Sequence, residues 1–371
     1  MVMNSNTNVQ NVNLNLTTNP HAWFLKDLKS VPPNGLKVMT TFSCGGGSSL
    51  GYKLAGCDVI AANDIDPEMA YHYKLNLNPK HYFLCPIKDL LKKELPQELY
   101  ELDILDGSPP CSNFSMAGNR EKDWGKDKHF REGQSKQVLD DLFFDYLNLV
   151  EHLKPKVAIA ENVKGLIQGN AKGYVKLIMA RFKAIGYNAQ LFLVNAADCG
   201  VPQKRERVFF IALRGDIVKP KLTLAPTHRW ISAGEATSDL QILTDDETKE
   251  TKPNNSDLTW WHKTKKGDGS GYATATTKKL GKRTGFNQIR LDEKTPSNTL
   301  NASGGIKHWD ICRSLTYREW KRLGSFPDDY QAKTDKIGKY MIGMSVPPRM
   351  MQRVAEEVIK QWLSEYAIIN L

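Results

Sequence analysis

The stretch TFSCGGGSSLGYKLAG, residues 41–56, has the pattern of a strand end, three consecutive glycines and the start of a helix. Glycines let the backbone turn tightly and approach a ligand closely, and the first turn of a helix offers unpaired N–H groups. About twenty residues after this turn, the sequence NDID places Asp64 and Asp66 at the end of a second apolar run. Acidic side chains at that point suit the hydroxyl groups of a ribose. The pattern therefore predicts a site for a nucleoside-containing cofactor.

The same residues are also compatible with a glycine-rich loop and a solvated acid pair, since short glycine motifs recur by chance. The spacing between the glycines and the acids favours the cofactor site. The chain lacks the second phosphate-cradling glycine pattern of dinucleotide sites. This favours S-adenosylmethionine over a nicotinamide cofactor.

Short apolar runs alternate with amphipathic stretches from residue 36 to residue 213. Seven runs are predicted strands: LKVMTTF (36–42), DVIAAND (58–64), HYFLC (81–85), LDILDG (102–107), KVAIAEN (156–162), AQLFLVN (189–195) and RVFFIAL (207–213). The apolar spacing of Val138, Leu142, Tyr146 and Leu149 predicts a helix over 134–153. This alternation predicts a doubly wound α/β sheet.

Composition changes along the chain predict four segments. Residues 1–35 are a partly disordered tail and lead-in, of which the Asn-rich residues 1 to about 20 have little to bury and are predicted to be mobile. Residues 36–214 form the cofactor-binding domain. Residues 215–290, rich in Lys, Thr, Gly and Trp, form a second, smaller domain. Residues 291–371 return to the first domain and end in a long helix, capped by Ser345 and with prolines in its first turn.

The charge and cysteine content narrow the class of protein. The 371 residues include 51 Lys and Arg against 41 Asp and Glu, a net charge of +10 that favours a polyanionic partner. The six cysteines form no CxxC pair, which argues against a disulfide framework or a zinc site and favours a reducing compartment. No signal peptide or membrane-spanning apolar run is present. We expect a soluble cytoplasmic protein without a metal.

A cysteine follows two prolines in DGSPPCSNFS, residues 106–115. Pro109 and Pro110 restrict the backbone, so the Cys111 thiol is held at the carboxyl end of a strand, where open α/β sheets bind ligands. A lone cysteine is more often packed in a core. The sequence ENV, however, ends the next strand with Glu161 and Asn162 at the same edge.

Three further polar side chains open the last predicted strand. Gln203, Arg205 and Arg207 share one face if this segment is extended. Each feature alone fits a structural glutamate or a solvated charged surface. Their convergence with a thiol at the edge that holds the cofactor favours a reaction centre.

The segments FSCGGGSSLG, NDID, SPPCSNFS, ENV, QKRER, RLDEKTPSNTL and GMSVPP resemble, in this order, the motifs of the DNA (cytosine-5)-methyltransferase family. The resemblance covers most of residues 36–213 and about 289–371. It implies a large Rossmann-like domain that binds S-adenosylmethionine and a small target-recognition domain at 215–290. It also implies double-stranded DNA as the substrate, with the target base flipped out of the helix. We expect a monomer, associated with the nucleoid if the source is bacterial.

The chemistry of such an enzyme requires a nucleophile, because carbon 5 of cytosine is too poor a nucleophile to accept the methyl group directly. A thiolate that adds to carbon 6 makes carbon 5 enamine-like. By resemblance Cys111 is this thiolate, Glu161 donates a proton at N3 and Arg207 holds O2. Arg205 is expected near the thiolate and a phosphate, and Asn162 near the proline-cysteine turn.

The resemblance also implies binding residues. DNA contacts are expected from Ser112, Ser115, Gln203, Arg205 and Arg207. Cofactor contacts are expected from Phe42, Ser43, Gly46, Gly47, Asp64, Ile65, Ile87, Pro110, Ser345 and Val346. The chain departs from the usual motifs at four places: Cys44 replaces a Gly, Pro86 replaces an Asp, Ser112 and Asn113 replace a Gln-Gly pair, and Met344 replaces an Asn. None of these positions makes or breaks bonds, so we expect an active enzyme.

Three alternatives remain. A tRNA cytosine-5 methyltransferase shares the scaffold, but that branch carries a Cys-Phe-Thr tripeptide in its recognition domain, and residues 215–300 contain no cysteine. A catalytically silent DNA-binding regulator would be expected to have lost Cys111, Glu161 or an arginine. A nicotinamide-dependent oxidoreductase gives no reason for the proline-cysteine and QKRER segments.

Overall fold

A computed structural model describes residues 19–110, 127–128, 137–138, 142–168, 172–226, 228–268, 271–281, 288–302 and 305–367. The described strands are β1 (Lys37–Thr41), β2 (Asp58–Asp64), β3 (His81–Leu84), β4 (Ile104–Gly107), β5 (Asp127–Lys128), β6 (Gln137–Val138), β7 (Val157–Val163), β8 (Tyr187–Asn195), β9 (Glu206–Arg214), β10 (Ile289–Arg290) and β11 (Ile306–Lys307). The described helices are α1 (Gly47–Leu54), α2 (Pro67–Leu77), α3 (Leu142–Leu153), α4 (Lys172–Ala184), α5 (Ala233–Ala236), α6 (Asp245–Glu250), α7 (Asn255–Trp260), α8 (Gly271–Leu280), α9 (Tyr317–Leu323), α10 (Asp335–Met344) and α11 (Pro348–Val358).

The described residues form a seven-stranded sheet in the order β3-β2-β1-β4-β7-β9-β8. β9 runs antiparallel to both of its neighbours, and the other pairs are parallel. The predicted doubly wound α/β fold is confirmed, and each of the seven predicted strands overlaps one strand of this sheet. The reversal of β9 follows from its short connection to β8, because a parallel crossover needs a dozen residues or more.

The predicted helix over 134–153 is wrong at its start. α3 begins at Leu142, and Gln137–Val138 instead pair antiparallel with Asp127–Lys128. Val138 fits the helical spacing of the apolar residues that follow it. Apolar periodicity therefore placed it on the wrong element.

Helices cover both faces of the sheet. One face packs against α3 and α4 through an apolar cluster that includes Tyr146 and Phe182. The other face packs against α1 and α11, and Gly51 allows these helices to approach closely, because a Cβ there would lie 2.5 Å from Cβ of Met351. The C-terminal helix thus completes the domain whose sheet begins at β1.

The predicted cap of the last helix is also wrong. α11 begins at Pro348 with Pro347 as its N-cap, and Ser345 is the C-cap of α10. The rigid φ of the prolines sets the start of α11 without a serine cap. A π-helical turn, Ile359–Leu363, then extends α11.

The segment predicted as the second domain packs in three places. Ile217 and Leu222 belong to the cluster around α11, and Ile231 belongs to a third cluster with α9 and α10. Trp260, Trp261 and Tyr272 form a separate small cluster, against which Cys312 packs. The guanidinium carbon of Arg290 lies 3.7 Å from the centre of the Trp261 ring.

The lead-in is attached to the body of the protein from its first described residue. Asn19 Nδ2 donates to Asp239 at 2.9 Å, and buried Trp23 donates through Nε1 to the Ser325 carbonyl at 3.0 Å. Of the residues predicted to form a mobile tail, 1 to about 20, residues 1–18 lie outside the described residues.

Candidate active site

The glycine turn joins the ends of β1 and β2. Phe42 and Cys44 adopt positive φ angles of 52° and 42°. The Cys44 backbone N–H donates to one carboxylate oxygen of Asp64 at 2.7 Å, and the Asp66 N–H donates to the other at 2.9 Å. Burial raises the pKa of Asp64. Through these two hydrogen bonds the Asp64 carboxyl group holds the turn in place, and Asp64 also lines the adjacent pocket.

The glycines of this turn are needed by the protein's own packing. Gly46 has φ +76°, and a Cβ there would lie 2.5 Å from Leu77 of α2. A Cβ on Gly47 would lie 2.1 Å from the Val346 carbonyl oxygen. The close approach that the sequence predicted for a ligand is thus used here by the connection between α10 and α11.

A pocket opens beside the turn at the carboxyl ends of β1, β2 and β4. It is lined by Phe42, Cys44, Asp64, Ile65, Asp66, Met69, Ser108, Pro110, Tyr340 and Met344. The sequence-based cofactor set contributes Phe42, Asp64, Ile65 and Pro110 to this lining. Tyr340 was missed because no motif marks α10 as a wall of the site, and Ser108, which directly follows β4, was not singled out within the proline-cysteine segment.

Other members of the cofactor set lie outside this lining. The side chains of Ile87 and Val346 are buried in the apolar clusters on the two faces of the sheet. Asp66 accepts from the Glu68 and Met69 N–H groups, so it is the N-cap of α2. Of the two acids that the spacing placed near a ribose, Asp64 is the one that does not cap a helix.

Two buried hydroxyl groups fit a polar ligand in this region. Ser43 Oγ, in the glycine turn, and Ser345 Oγ, at the end of α10, make no hydrogen bond of good geometry with the described residues, although the Tyr82 hydroxyl lies near the first and the Cys44 thiol near the second. Buried hydroxyls are normally hydrogen-bonded. Together with the Asp64 carboxyl group, they are suited to the hydroxyl and amino-acid groups of S-adenosylmethionine.

An ion pair marks the next part of the same edge. Glu161, near the end of β7, accepts from Arg207 Nε of β9 at 2.9 Å, and both side chains are largely buried. Burial lowers the pKa of Arg207, and the negative charge of Glu161 opposes that effect. Asn162 Nδ2 donates to the Pro109 carbonyl at 3.0 Å and so ties β7 to the proline turn.

Gln203 and Arg205 form hydrogen bonds with backbone groups of distant segments. Arg205 donates to the carbonyls of Leu300 and Gly343, both at 2.9 Å, and Gln203 accepts from the Leu300 N–H at 3.1 Å. Arg205 is 3% exposed and Gln203 is 1% exposed. These hydrogen bonds hold the returning chain against the sheet edge, and contact of Gln203 and Arg205 with DNA stays a prediction. Arg207 alone of the three side chains faces Glu161.

Cys111, Ser112 and Ser115 lie outside the described residues, and Pro110 is the last described residue before them. The described cysteines have pKa values raised by burial, to about 12 for Cys44, Cys57 and Cys199. A thiol with such a pKa is almost entirely protonated at neutral pH and is a poor nucleophile.

Asp106 is a buried acid that the sequence did not single out. It lies in β4, is 1% exposed, and accepts from the Tyr52 hydroxyl at 3.0 Å. Burial raises its pKa to about 7, the Tyr52 hydrogen bond opposes the shift, and the negative charge of Glu161 adds to it. The apolar run around Asp106 was read only as a strand, because burial of its side chain depends on packing by α1.

We expect Asp106→Asn to change how stability depends on pH. The folded protein binds the Asp106 proton more tightly than the unfolded chain, so stability falls as pH rises from about 4 to about 7. The variant lacks this loss, so its stability relative to the wild type should rise over that window, by up to about 4 kcal/mol. Urea unfolding at pH 4, 6 and 8 measures the difference.

Tyr52→Phe is the matched control. It keeps the carboxyl group and removes the hydrogen bond that favours its ionised form. The pH-dependent loss of stability should then move to higher pH. Parallel pH profiles for the wild type and Asp106→Asn would contradict the assignment.

Neither a metal site nor a membrane span is evident in the part of the chain that the structure describes. No group of three or more His, Cys, Asp or Glu residues there is arranged to hold a metal ion. No helix there is long and apolar enough to cross a bilayer.

The fold and the pocket together define a class of protein. The strand order with β9 reversed, and a pocket at the carboxyl ends of β1, β2 and β4 with an acid after β2, are those of an α/β methyltransferase that binds a nucleoside cofactor. The family description "C-5 cytosine-specific DNA methylase" matches residues 36–360, and the chain belongs to this family. It is a DNA (cytosine-5)-methyltransferase that uses S-adenosylmethionine as its methyl donor.

Curated relatives extend over almost the whole chain. The type II methyltransferase M.NgoPII of Neisseria gonorrhoeae is 28% identical over 352 residues, covering 88% of this chain and 96% of that protein. The type II methyltransferase M.DdeI of Desulfomicrobium norvegicum is 29% identical over 383 residues, covering 87% of this chain and 88% of that protein.

Solved structures share the fold. A methyltransferase encoded within an E. coli prophage has a TM-score of 0.66 and 20% identity, covering 88% of this chain and 99% of that one. The S. pombe Dnmt2 methyltransferase has a TM-score of 0.59 and 17% identity, covering 88% of this chain and 98% of that one. At these identities the likeness shows the fold alone.

Proposed function

We propose that the Glu161–Arg207 pair and Cys111 form the reaction centre for a cytosine flipped out of duplex DNA. The observation that carries this proposal is the buried pair itself, joined to the Pro109–Pro110 turn through Asn162 at the sheet edge that also holds the cofactor pocket. Cys111 directly follows that turn. The raised pKa values of the described cysteines support the same assignment, because they disfavour those thiols as nucleophiles.

Each group has a defined task in this proposal. The Cys111 thiolate adds to carbon 6, and Glu161 holds a proton at N3, where negative charge would otherwise accumulate. Arg207 orients Glu161 and the O2 atom through its planar set of donors. After carbon 5 is methylated, its proton passes to a solvent water, the electrons of that C–H bond form the C5–C6 double bond as the thiolate leaves carbon 6, and N3 returns its proton to Glu161. When bound, S-adenosylmethionine supplies the electrophilic methyl group.

The proposed cofactor residues are the acid and the two hydroxyl groups described above, with apolar walls from Phe42, Ile65 and Pro110. Asp64 is suited to the ribose hydroxyls, and Ser43 and Ser345 to the amino-acid end. Met344, 44% exposed, stands on the rim of the pocket, where the family usually has Asn. Gly47 contributes by letting Ser345 and Val346 lie against the turn, and Gly46 contributes through its positive φ angle of 76°.

Bisulfite sequencing of DNA from cells that express the protein tests the activity on its substrate. Methylated cytosines in one sequence context are expected in cells with the wild type and not in cells with Cys111→Ser. If the cellular DNA were unmethylated and tRNA were methylated instead, the substrate would be that of the RNA-modifying branch. The names of the relatives favour the modification enzyme of a type II system, and we propose a monomer that acts on chromosomal DNA.

We further propose that residues 215–290 contain the target-recognition domain, as the composition of this segment predicts. The Trp260, Trp261 and Tyr272 cluster supports this, because it is separate from the apolar clusters of the catalytic domain, although Cys312 and His308 of the following segment contact it. Ile217, Leu222 and Ile231 pack with the catalytic domain, so an exchange of the recognition region should leave them in place.

We expect a chimaera that takes residues 241–290 from a relative to acquire that relative's sequence preference. Base-edge contacts from these residues would specify the site, whereas the cofactor pocket is built from other segments. Affinity for S-adenosylmethionine should therefore stay within about twofold of the original, since no pocket residue changes. Methylation mapping and calorimetry are the measurements. An active chimaera that keeps the original context would refute the assignment.

A further inference from the structure

A basic cavity of about 340 Å³ lies apart from the cofactor pocket. It is enclosed by the lead-in, the connection before β9, the segment before α5, the end of α9 and the first turns of α11. Its basic lining residues are His21, His228, Arg229, Arg322, Arg349 and Arg353, with no Asp or Glu among the described residues that line it. It shares no lining residue with the cofactor pocket.

Two of the four arginines are paired with carboxylates that do not line the cavity. Arg322, 1% exposed, donates to Asp239 and Asp328. Arg229 pairs with Glu235. These pairs hold the walls of the cavity together and contribute little net charge to it.

The other two arginines lie one turn apart on α11. Arg353 pairs with Glu356 at the helix surface. Arg349 donates to the neutral Gln352 side chain at 2.9 Å and lies 5.7 Å from the centre of the Trp23 ring. Among the described residues, no carboxylate pairs with Arg349. The positive charge at the start of α11 is therefore only partly compensated.

The environment of Arg349 disfavours its charge. Burial lowers the pKa of Arg349, the positive charge of Arg353 lowers it further, and Glu356 opposes both effects. A partly buried guanidinium next to a like charge is stabilised by an anion that accepts its N–H donors. Phosphate oxygens suit the planar fork of a guanidinium.

We propose that this cavity binds a phosphate group through Arg349, with Arg353 beside it. The group belongs either to a small phosphate ligand or to the DNA backbone outside the target cytosine. This inference does not rest on the proposed reaction centre, because none of the cavity's residues belongs to it.

The test compares Arg349→Gln with Arg181→Gln. Arg181 is a surface arginine on α4 whose pairing with Glu151 is solvent-exposed, so its removal changes net charge equally with little structural effect. One arm adds pyrophosphate at constant ionic strength and measures the midpoint of thermal unfolding. The other arm measures affinity for duplex DNA over a range of salt concentrations, with cofactor present.

A small phosphate ligand should raise the midpoint of the wild type by about 2 °C or more, and Arg349→Gln should lose this increase. A backbone phosphate should instead make Arg349→Gln bind duplex DNA more weakly and lower the slope of log affinity against log salt by about 1. Arg181→Gln should resemble the wild type in both arms.

The proposal would be overturned if pyrophosphate did not raise the unfolding midpoint of the wild type and Arg349→Gln bound duplex DNA as the wild type does. An equal effect of Arg349→Gln and Arg181→Gln would also overturn it, since net charge alone would then explain the result. Arg349→Lys, which keeps the charge without the fork, should show an intermediate response. It serves in place of Arg349→Gln if that variant does not fold.

Discussion

Duplex DNA with 5-fluorocytosine at the target position should trap this protein in a covalent complex through Cys111. The thiolate can still add to carbon 6, and carbon 5 can still accept the methyl group. Fluorine replaces the proton whose removal drives β-elimination, so the carbon–sulfur bond cannot break. The complex should require S-adenosylmethionine and survive denaturation, and peptide mass mapping should locate it in the segment that contains Cys111.

Cys111→Ser should form no complex and should lose methylation by more than about 1,000-fold, because a hydroxyl group with a much higher pKa is a poor nucleophile here. The matched control is Cys85→Ser, which makes the same substitution outside the proposed reaction centre, at a partly exposed cysteine whose pKa is raised by burial. That variant should still be trapped. Trapping through Cys44, Cys57, Cys85, Cys199 or Cys312 in the wild type would refute the mechanism.

Glu161→Gln should reduce single-turnover methylation by about 100-fold or more, since an amide cannot deliver a proton to N3. The amide oxygen can still accept from Arg207 Nε, so the shape of the site is retained. Formation of the 5-fluorocytosine complex should slow in parallel. Affinity for duplex DNA and for S-adenosylmethionine should change little.

Glu206→Gln is the control for this variant. Glu206 neighbours Arg207 in sequence, but its side chain is 45% exposed and pairs with Lys164. Its replacement removes the same charge and should leave the methylation rate within about twofold, as exposed ion pairs contribute little. Equal losses in the two variants would mean that net charge, and not a proton at Glu161, governs the rate. Thermal unfolding of both variants separates a catalytic effect from a loss of folded protein.

The sequence by itself determined the elements whose signals are local. Strands such as 58–64 alternate with helical stretches, so the α/β sheet and the strand ends that carry Asp64 and Glu161 could be predicted. The order of the motifs identified the family and placed Cys111 beside the proline turn. Periodicity failed at Val138, because a short hairpin residue can match the spacing of the helix that follows it.

Only the tertiary structure decided which polar groups are used by the protein itself. The sequence does not distinguish the roles of Gln203, Arg205 and Arg207. In the structure Gln203 and Arg205 bind backbone groups of a distant segment, whereas Arg207 pairs with Glu161. Asp64 and Asp66 also look alike in the sequence, but in the structure Asp66 is the N-cap of α2 and Asp64 is not. The raised pKa of Asp106 and the uncompensated charge of Arg349 depend on neighbours from distant parts of the chain. Burial and pairing are properties of packed segments, and no local pattern encodes them.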